Sequence, residues 1–274
     1  MQQLKESFLI LLFEFMGTLL LSSLWNTSYS VNDFGSFLVG FFILLIFSAR
    51  ISGSHFNPAI TLAFMFRRDI GRFSRLLGLF YIVAQYLGAW LGSQLSYNIF
   101  KCTRSIAVYG QSYGYPPIAV LKGGEHGDVT LWIQAIIFEI LGAMLLTFLY
   151  LTQTEEKTKL SGEPAITTMI ISATYSALTF YSMSSGVVSG TPFNPAIAMG
   201  EFWAVLFGSD YNKELDANMW IFLFFAFGGA LVAVVLFEFV YKKAMDQVQE
   251  VEDKDDSDIE DNNPEAQFLQ KQED

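Results

Sequence analysis

Cysteine is nearly absent: Cys102 is the only one in 274 residues. A lone thiol excludes an intramolecular disulfide, a cysteine-based metal cluster and a redox pair. Histidine is almost as scarce, and His55 and His126 are too few and too far apart to suggest a metal site. No cofactor is expected. Charge is the third shortage, with 16% of residues charged against about a quarter in an ordinary soluble domain. Among so few polar residues no catalytic triad, metal-ligand cluster or phosphate-binding loop appears, which argues against an enzyme. The formal charge is −11, but from Gln247 to Asp274 eleven acidic residues stand against only Lys254 and Lys271. The rest of the chain is close to neutral and implies no nucleic-acid partner.

What is present is apolar sequence in long blocks, 52% hydrophobic overall. Six blocks are long enough to cross a hydrocarbon core of about 30 Å as helix. They run near Ser7–Leu24, Phe34–Arg50, Leu76–Phe100, Val129–Leu151, Ala165–Ser184 and Asn218–Tyr241. They lack the alternation of barrel strands, so the lipid bilayer is the expected partner and six spanning helices the expected fold. Leu9–Leu24 has no small-residue cleavage pattern and reads as the first span. Two further stretches, Pro58–Phe66 and Pro195–Phe207, are too short to span. Each opens on Asn-Pro-Ala. Proline suits the first helical position because its N–H would be unpaired there anyway. Asn57 and Asn194 then become N-caps of re-entrant half-helices.

Basic residues near the span ends set the orientation. Lys5, Arg67, Arg68, Arg72, Arg75, Lys157, Lys159, Lys242 and Lys243 fall on one side; Lys101, Arg104, Lys122 and Lys213 fall on the other. The bias places both termini in the cytoplasm. Asn26-Thr27-Ser28 is a glycosylation sequon that then lands on the opposite, outer or lumenal face.

The chain repeats itself. Ser52-Gly53-Ser54-His55-Phe56-Asn57-Pro58-Ala59-Ile60 and Ser189-Gly190-Thr191-Pro192-Phe193-Asn194-Pro195-Ala196-Ile197 agree at seven of nine positions, 137 residues apart. Glu14-Phe15-Met16-Gly17 echoes Glu139-Ile140-Leu141-Gly142, and Gly88-Ala89 echoes Gly229-Ala230. Three spans per half is odd, so the second half inserts upside down, with the working site where the halves meet at the midplane. A membrane domain of residues 1–245, with halves of about 7–125 and 126–245, and a disordered acidic cytoplasmic tail of 246–274 follow. Within that tail Ser257 is a candidate phosphorylation site, and Phe268 and Leu269 a candidate docking point.

Two Asn-Pro-Ala motifs at this spacing, each after a Ser-Gly pair within six spans, resemble the aquaporin or major intrinsic protein family over roughly residues 7–241. The resemblance implies a passive channel for water and small neutral solutes (glycerol, urea, ammonia or peroxide), assembled as a homotetramer. It makes Asn57, Pro58, Ala59, Asn194, Pro195 and Ala196 the pore motifs. The half-helix N-termini and the asparagine amides would hold water oxygen-inward and repel cations. Glu14 and Glu139, read as the only acidic residues deep in the spans, would accept hydrogen bonds from the re-entrant loops, with Gln85 bracing them. Gly88 and Gly92 allow close helix approach. For His55 two readings stay open: pore lining, or a hydrogen bond to a loop carbonyl. His126 reads as a solvated loop residue.

Most of the family carries an arginine after the second motif; here Ile197 stands in that place. Counting back without gaps, the selectivity filter becomes Phe37, Ser182, Thr191 and Ile197, with neither charge nor histidine. The aliphatic residue looks like the unorthodox intracellular aquaporins called superaquaporins, although those usually alter the first motif and this chain keeps it. Thr191 also replaces the cysteine that confers mercury sensitivity on some members. Two other readings of the fold are a non-conducting junction or scaffold protein and a coupled carrier.

Overall fold

A computed structural model describes residues 2–31, 33–68, 73–103, 129–184, 191–207 and 219–261. The readings on Arg72, Arg104, Lys122, His126, Ser189, Gly190, Lys213, Phe268 and Leu269 lie outside these residues, as do the side chains of Lys5, Lys101, Cys102 and Ser257.

The described chain is helical in the order α1 (Gln2–Val31), α2 (Phe34–Ser48), α3 (Pro58–Phe66), α4 (Arg75–Thr103), α5 (Val129–Thr154), α6 (Pro164–Ser184), α7 (Pro195–Leu206), α8 (Met219–Leu236) and α9 (Lys242–Asp261), with a π-helical turn, Phe237–Tyr241, between the last two. Helices α1, α2, α4, α5, α6 and α8 are the six spans, and α3 and α7 are the half-helices. Four stretches, Ser7–Ser28, Arg75–Asn98, Trp132–Thr154 and Met219–Val251, are each long and apolar enough to cross a membrane alone. Helix α2 is short, with 15 residues, and α6 carries a polar seam. That seam is turned inward: Ser172 Oγ donates to Leu38 O at 2.5 Å and Ser176 Oγ to Phe34 O at 2.8 Å.

The sidedness of each helix is that of a protein dissolved in lipid. On α4, Leu76, Phe80, Val83, Leu87, Leu91 and Leu95 recur at helical spacing and are exposed, while Gln85, Ser93 and Ser96 on the other face are buried. Small residues let α4 lie against α1. A Cβ on Gly88 would stand 2.3 Å from Phe15 O, and one on Gly92 2.1 Å from Leu19 O. Ser22 and Ser93 then bond across the seam at 2.8 Å. Lipid tails supply no hydrophobic drive between helices, so close backbone approach and interhelical hydrogen bonds hold the pair.

Two expectations change here. Asn26 is not on a surface: α1 continues to Val31, and Asn26 lies within it, buried, its Nδ2 donating to Ser22 O at 2.8 Å and to Ser93 Oγ at 3.3 Å. The sequon is therefore closed to a glycosyl transferase. The acidic segment also differs from a wholly disordered tail, because residues 246–261 continue as helix α9. Helix formation is limited by its nucleus, and α8 supplies one, so Lys, Met, Gln and Glu need only propagate it.

Candidate functional site: two half-helices meeting on the axis

Helices α3 and α7 start on their Asn-Pro-Ala motifs, and each asparagine serves two ends of the structure at once. Asn57 Oδ1 accepts from Ala59 N at 2.9 Å, and Asn194 Oδ1 from Ala196 N at 3.0 Å, capping the helix behind. Their amide groups reach forward and exchange partners: Asn57 Nδ2 donates to Phe193 O and Asn194 Nδ2 to Phe56 O, both at 2.9 Å. A primary amide has two N–H donors, so each asparagine retains one beyond the bond that ties the loops together.

The carbonyls are aimed by unusual backbone. Phe56 and Phe193 both have φ of +47°, and Ser54 has +54°. A non-glycine residue there costs of the order of 1–3 kcal/mol. The cost is met by burial, since both rings are fully enclosed. A Cβ on Gly17 would come within 1.9 Å of the Phe56 ring, and one on Gly142 within 2.1 Å of the Phe193 ring. The paired Glu-x-x-Gly sequences thus acquire a meaning: the glutamate binds the loop, and the glycine one turn on makes room for its phenylalanine.

Glu14 is a full acceptor. Its carboxylate takes hydrogen bonds from Ser52 Oγ (2.6 Å), Gln85 Nε2 (2.8 Å), Phe56 N (2.9 Å) and His55 N (3.0 Å). Glu139 accepts from Thr191 Oγ1, and its Oε1 has no partner among the described residues.

On the α3 side of the crossing, His55 lies buried among Phe64 (4.4 Å between centroids), Phe73 (5.2 Å), Tyr81 (5.4 Å) and Tyr150 (6.1 Å). Its Nδ1 pairs with Thr61 Oγ1 at 3.2 Å, rather than with a loop carbonyl. Thr61 Oγ1 also accepts from Gln85 Nε2 at 2.8 Å. Tyrosine hydroxyls occupy the loop carbonyls: Tyr150 donates to Gly53 O and to Ser54 O, and Tyr81 to Ser52 O at 2.8 Å.

On the α7 side, Phe37, Ser182, Thr191 and Ile197 are all buried. Thr191 N donates to Ser182 Oγ at 3.1 Å, but the Thr191 hydroxyl is committed to Glu139. Phe37 and Ile197 belong to one apolar cluster with two residues the sequence argument passed over, Trp25 and Tyr175. Phe37 meets Trp25 edge-on at 5.5 Å and Tyr175 at 5.2 Å, while Trp25 stacks on Tyr175 at 5.8 Å. The Tyr175 hydroxyl donates to Pro192 O at 2.5 Å, two residues before Asn194.

Residues 4–237 match the sequence model of the family described as Major intrinsic protein. The chain belongs to that family. Among curated relatives, it is 29% identical to "Probable aquaporin PIP2-1" of Oryza sativa subsp. japonica over 203 residues, 73% of this chain and 62% of that one. It is 30% identical to "Aquaporin PIP2-7" of Musa acuminata over 205 residues, 74% of this chain and 64% of that one. The chain thus spans a little under two thirds of the length of these relatives. The fold is that of the aquaglyceroporin from Plasmodium falciparum, whose X-ray structure superposes with a TM-score of 0.68 at 19% identity, covering 88% of this chain and 99% of that one.

As a major intrinsic protein the chain carries more buried acid than its sequence suggested. Glu201 on α7 and Glu238 in the π-helical turn are also buried, so Glu14 and Glu139 are not the only acidic residues at depth. Helix phase carried the missed signal. Glu201 is one turn beyond Ile197 on the same face of α7, while Glu238 continues a hydrophobic helix whose neighbours were not visible in one dimension. At the C-terminal end of α3, Arg67 forms an ion pair with Glu155 and lies 3.8 Å from Glu238, with its guanidinium 5.4 Å from the centroids of both Phe64 and Phe237.

Proposed function

We propose that this chain is a passive transmembrane channel for water and small neutral solutes of the size of glycerol, urea, ammonia and peroxide, with both termini in the cytoplasm and one path per subunit of a homotetramer. The observation that carries the reading is the exchange between the two loops, Asn57 to Phe193 O and Asn194 to Phe56 O. It holds two helix N-termini head to head, so two positive dipole ends and two spare amide N–H groups converge at one level. A passing water binds there by its oxygen, which interrupts the hydrogen-bonded wire that a proton would need, and the same field opposes cations. The domain reading belongs with this proposal: residues 1–245 form the channel, as halves of about 7–125 and 126–245.

The proposed path runs from His55, Tyr150 and the carbonyls of Gly53 and Ser54, past Asn57 and Asn194, to Phe37, Ser182, Thr191 and Ile197. Glu14, Glu139 and Gln85 hold the loops from behind. The names of the relatives, aquaporins and an aquaglyceroporin, support a channel. The deciding experiment is stopped-flow light scattering of proteoliposomes, first against an impermeant osmolyte and then in a glycerol gradient. Fast shrinkage with a low activation energy is expected, followed by re-swelling in glycerol. If folded, tetrameric protein moves neither solute faster than empty liposomes do, the channel reading falls and a non-conducting junction protein of the same fold replaces it.

A further inference from the structure

The basic residues just past α3 and at the start of α9 come as adjacent pairs, and the two members of each pair face different ways. Arg67 and Lys242 turn inward, where both approach the buried Glu238. Arg68 and Lys243 are exposed and enter no ion pair among the described residues. Yet Arg68 is not loose. Its guanidinium lies 4.3 Å from the centroid of the Phe239 ring. Glu238 and Lys242, four residues apart, meet at 3.4 Å across the π-helical turn. Phe239 and Lys243 are the next pair around the same turn. Lys243 therefore shares a face with the Phe239 ring and the Arg68 guanidinium stacked on it.

That face ends an apolar stripe. Along α8 and the π-helical turn, exposed residues recur in pairs, Leu231 and Val232, Val235 and Leu236, Phe239 and Val240, each 37–59% exposed. Lys243 falls on the next step of four. A step of four overshoots an α-helical turn of about 3.6 residues, and the wider π-helical turn corrects the drift. Acyl chains match the stripe, and an anion matches its end. Arginine offers a fork of N–H donors to phosphate oxygens, and lysine adds a second charge. Long basic side chains at span ends snorkel to the interface in many membrane proteins. Stacking on Phe239 instead holds Arg68 in one place.

We propose that Arg68, Phe239 and Lys243 form a binding site for an anionic phospholipid, its phosphate held by the two cations and its acyl chains along the α8 stripe. Phosphatidylglycerol is the simplest occupant, with one phosphate and no compensating ammonium. Phosphatidylcholine has the same phosphate, but its own choline cation offsets the charge that Arg68 and Lys243 would bind. The nearby carboxylate does not neutralise them, because Glu238 is buried between Arg67 and Lys242. The site requires only that the chain lie in a membrane, and it stands whatever passes through the protein.

Native mass spectrometry of the purified full chain, stripped of lipid in detergent, resolves each bound lipid and also reports the number of subunits. Dioleoyl phosphatidylglycerol and dioleoyl phosphatidylcholine are titrated in turn. Phosphatidylglycerol is expected to bind about tenfold or more tighter, each basic residue being worth about fivefold. Arg68→Gln and Lys243→Gln should each remove about fivefold of that preference, and Phe239→Leu about two- to fivefold, with phosphatidylcholine binding unchanged. Arg50→Gln, at an exposed arginine just past α2, should alter neither, and gel filtration shows all the variants folded. Equal affinity of the wild type for the two lipids overturns the site. So does a preference that survives both Arg68→Gln and Lys243→Gln, or one that Arg50→Gln weakens as much, which is general charge attraction. A change in subunit number, with lipid binding unaltered, gives the face to a second copy and overturns it as well.

Discussion

The two halves of the repeat use one backbone plan and finish it differently. In the first half the span glutamate, Glu14, has four donors, two of them the backbone N–H groups of His55 and Phe56. In the second half two of those donors are missing for covalent reasons. Pro192 occupies the place of His55 and has no N–H, and at the spacing that relates Gly88 to Gly229 the partner of Gln85 is Ala226. Among the described residues Glu139 is left with Thr191 and one unpartnered oxygen. Geometry has thus been kept on both sides, including the Phe56 and Phe193 φ values, while hydrogen bonding has been kept on one. An internal repeat preserves what positions the backbone more strictly than what satisfies the side chains.

The largest expected effect breaks this comparison outright. Glu14→Ala strands two buried backbone N–H groups and one N–H of the Gln85 amide, each worth about 1–3 kcal/mol when unpaired. A loss of several kcal/mol is expected, seen as failure to recover folded protein in detergent. Glu139→Ala removes one hydroxyl partner and should lower the melting temperature far less. Equal losses would mean that the hydrogen-bond asymmetry carries no energetic weight.

Glycine tests the shared geometry instead. Gly17→Ala and Gly142→Ala each push a methyl into a phenylalanine ring, and overpacking of this kind costs about 1–3 kcal/mol. Similar drops in melting temperature are expected in both halves, because the two contacts are nearly equal at 1.9 and 2.1 Å.

A smaller effect concerns flow. Tyr150→Phe and Tyr175→Phe release loop carbonyls on opposite sides of the crossing. If the loop carbonyls serve as stations for water, each variant should raise water permeability up to about fivefold, what one net hydrogen bond of about 1 kcal/mol is worth. Stopped-flow shrinkage measures it, and an increase in only one variant would locate the tighter half. The smallest effect sharpens the comparison. Pro192→Ala restores the N–H that Glu139 lacks. A charged hydrogen bond of about 1.5–3 kcal/mol outweighs the 0.4–1 kcal/mol that proline contributes through the unfolded chain. A net gain of about 1 kcal/mol should therefore appear in thermal unfolding, against the usual loss when a loop proline is removed.

Much of the architecture was legible because it rests on one-dimensional signals. Apolar blocks announce spans, the Asn-Pro pairs announce half-helix starts, and an odd number of spans per repeat requires inversion. Glu14, Glu139 and Gln85 were visible as polar residues in apolar runs. Tyr150 and Tyr175 were not, since an aromatic residue in a span is most often packing surface and only a hydroxyl seated on a carbonyl marks it otherwise. Asn26 misled for the converse reason: a sequon gives no sign of whether its helix has ended.

The sequence by itself determined the six spans, the two motifs and their symmetry, because burial in lipid and helix capping depend on neighbours a few residues away. The tertiary structure decided which polar atoms are satisfied. It bound Asn57 to Phe193 across 136 residues, closed Asn26 against α4, gave Glu14 its full set of donors and left Glu139 and Glu201 short. Hydrogen bonds are short and directional, so which residues share one is settled only when distant helices have packed.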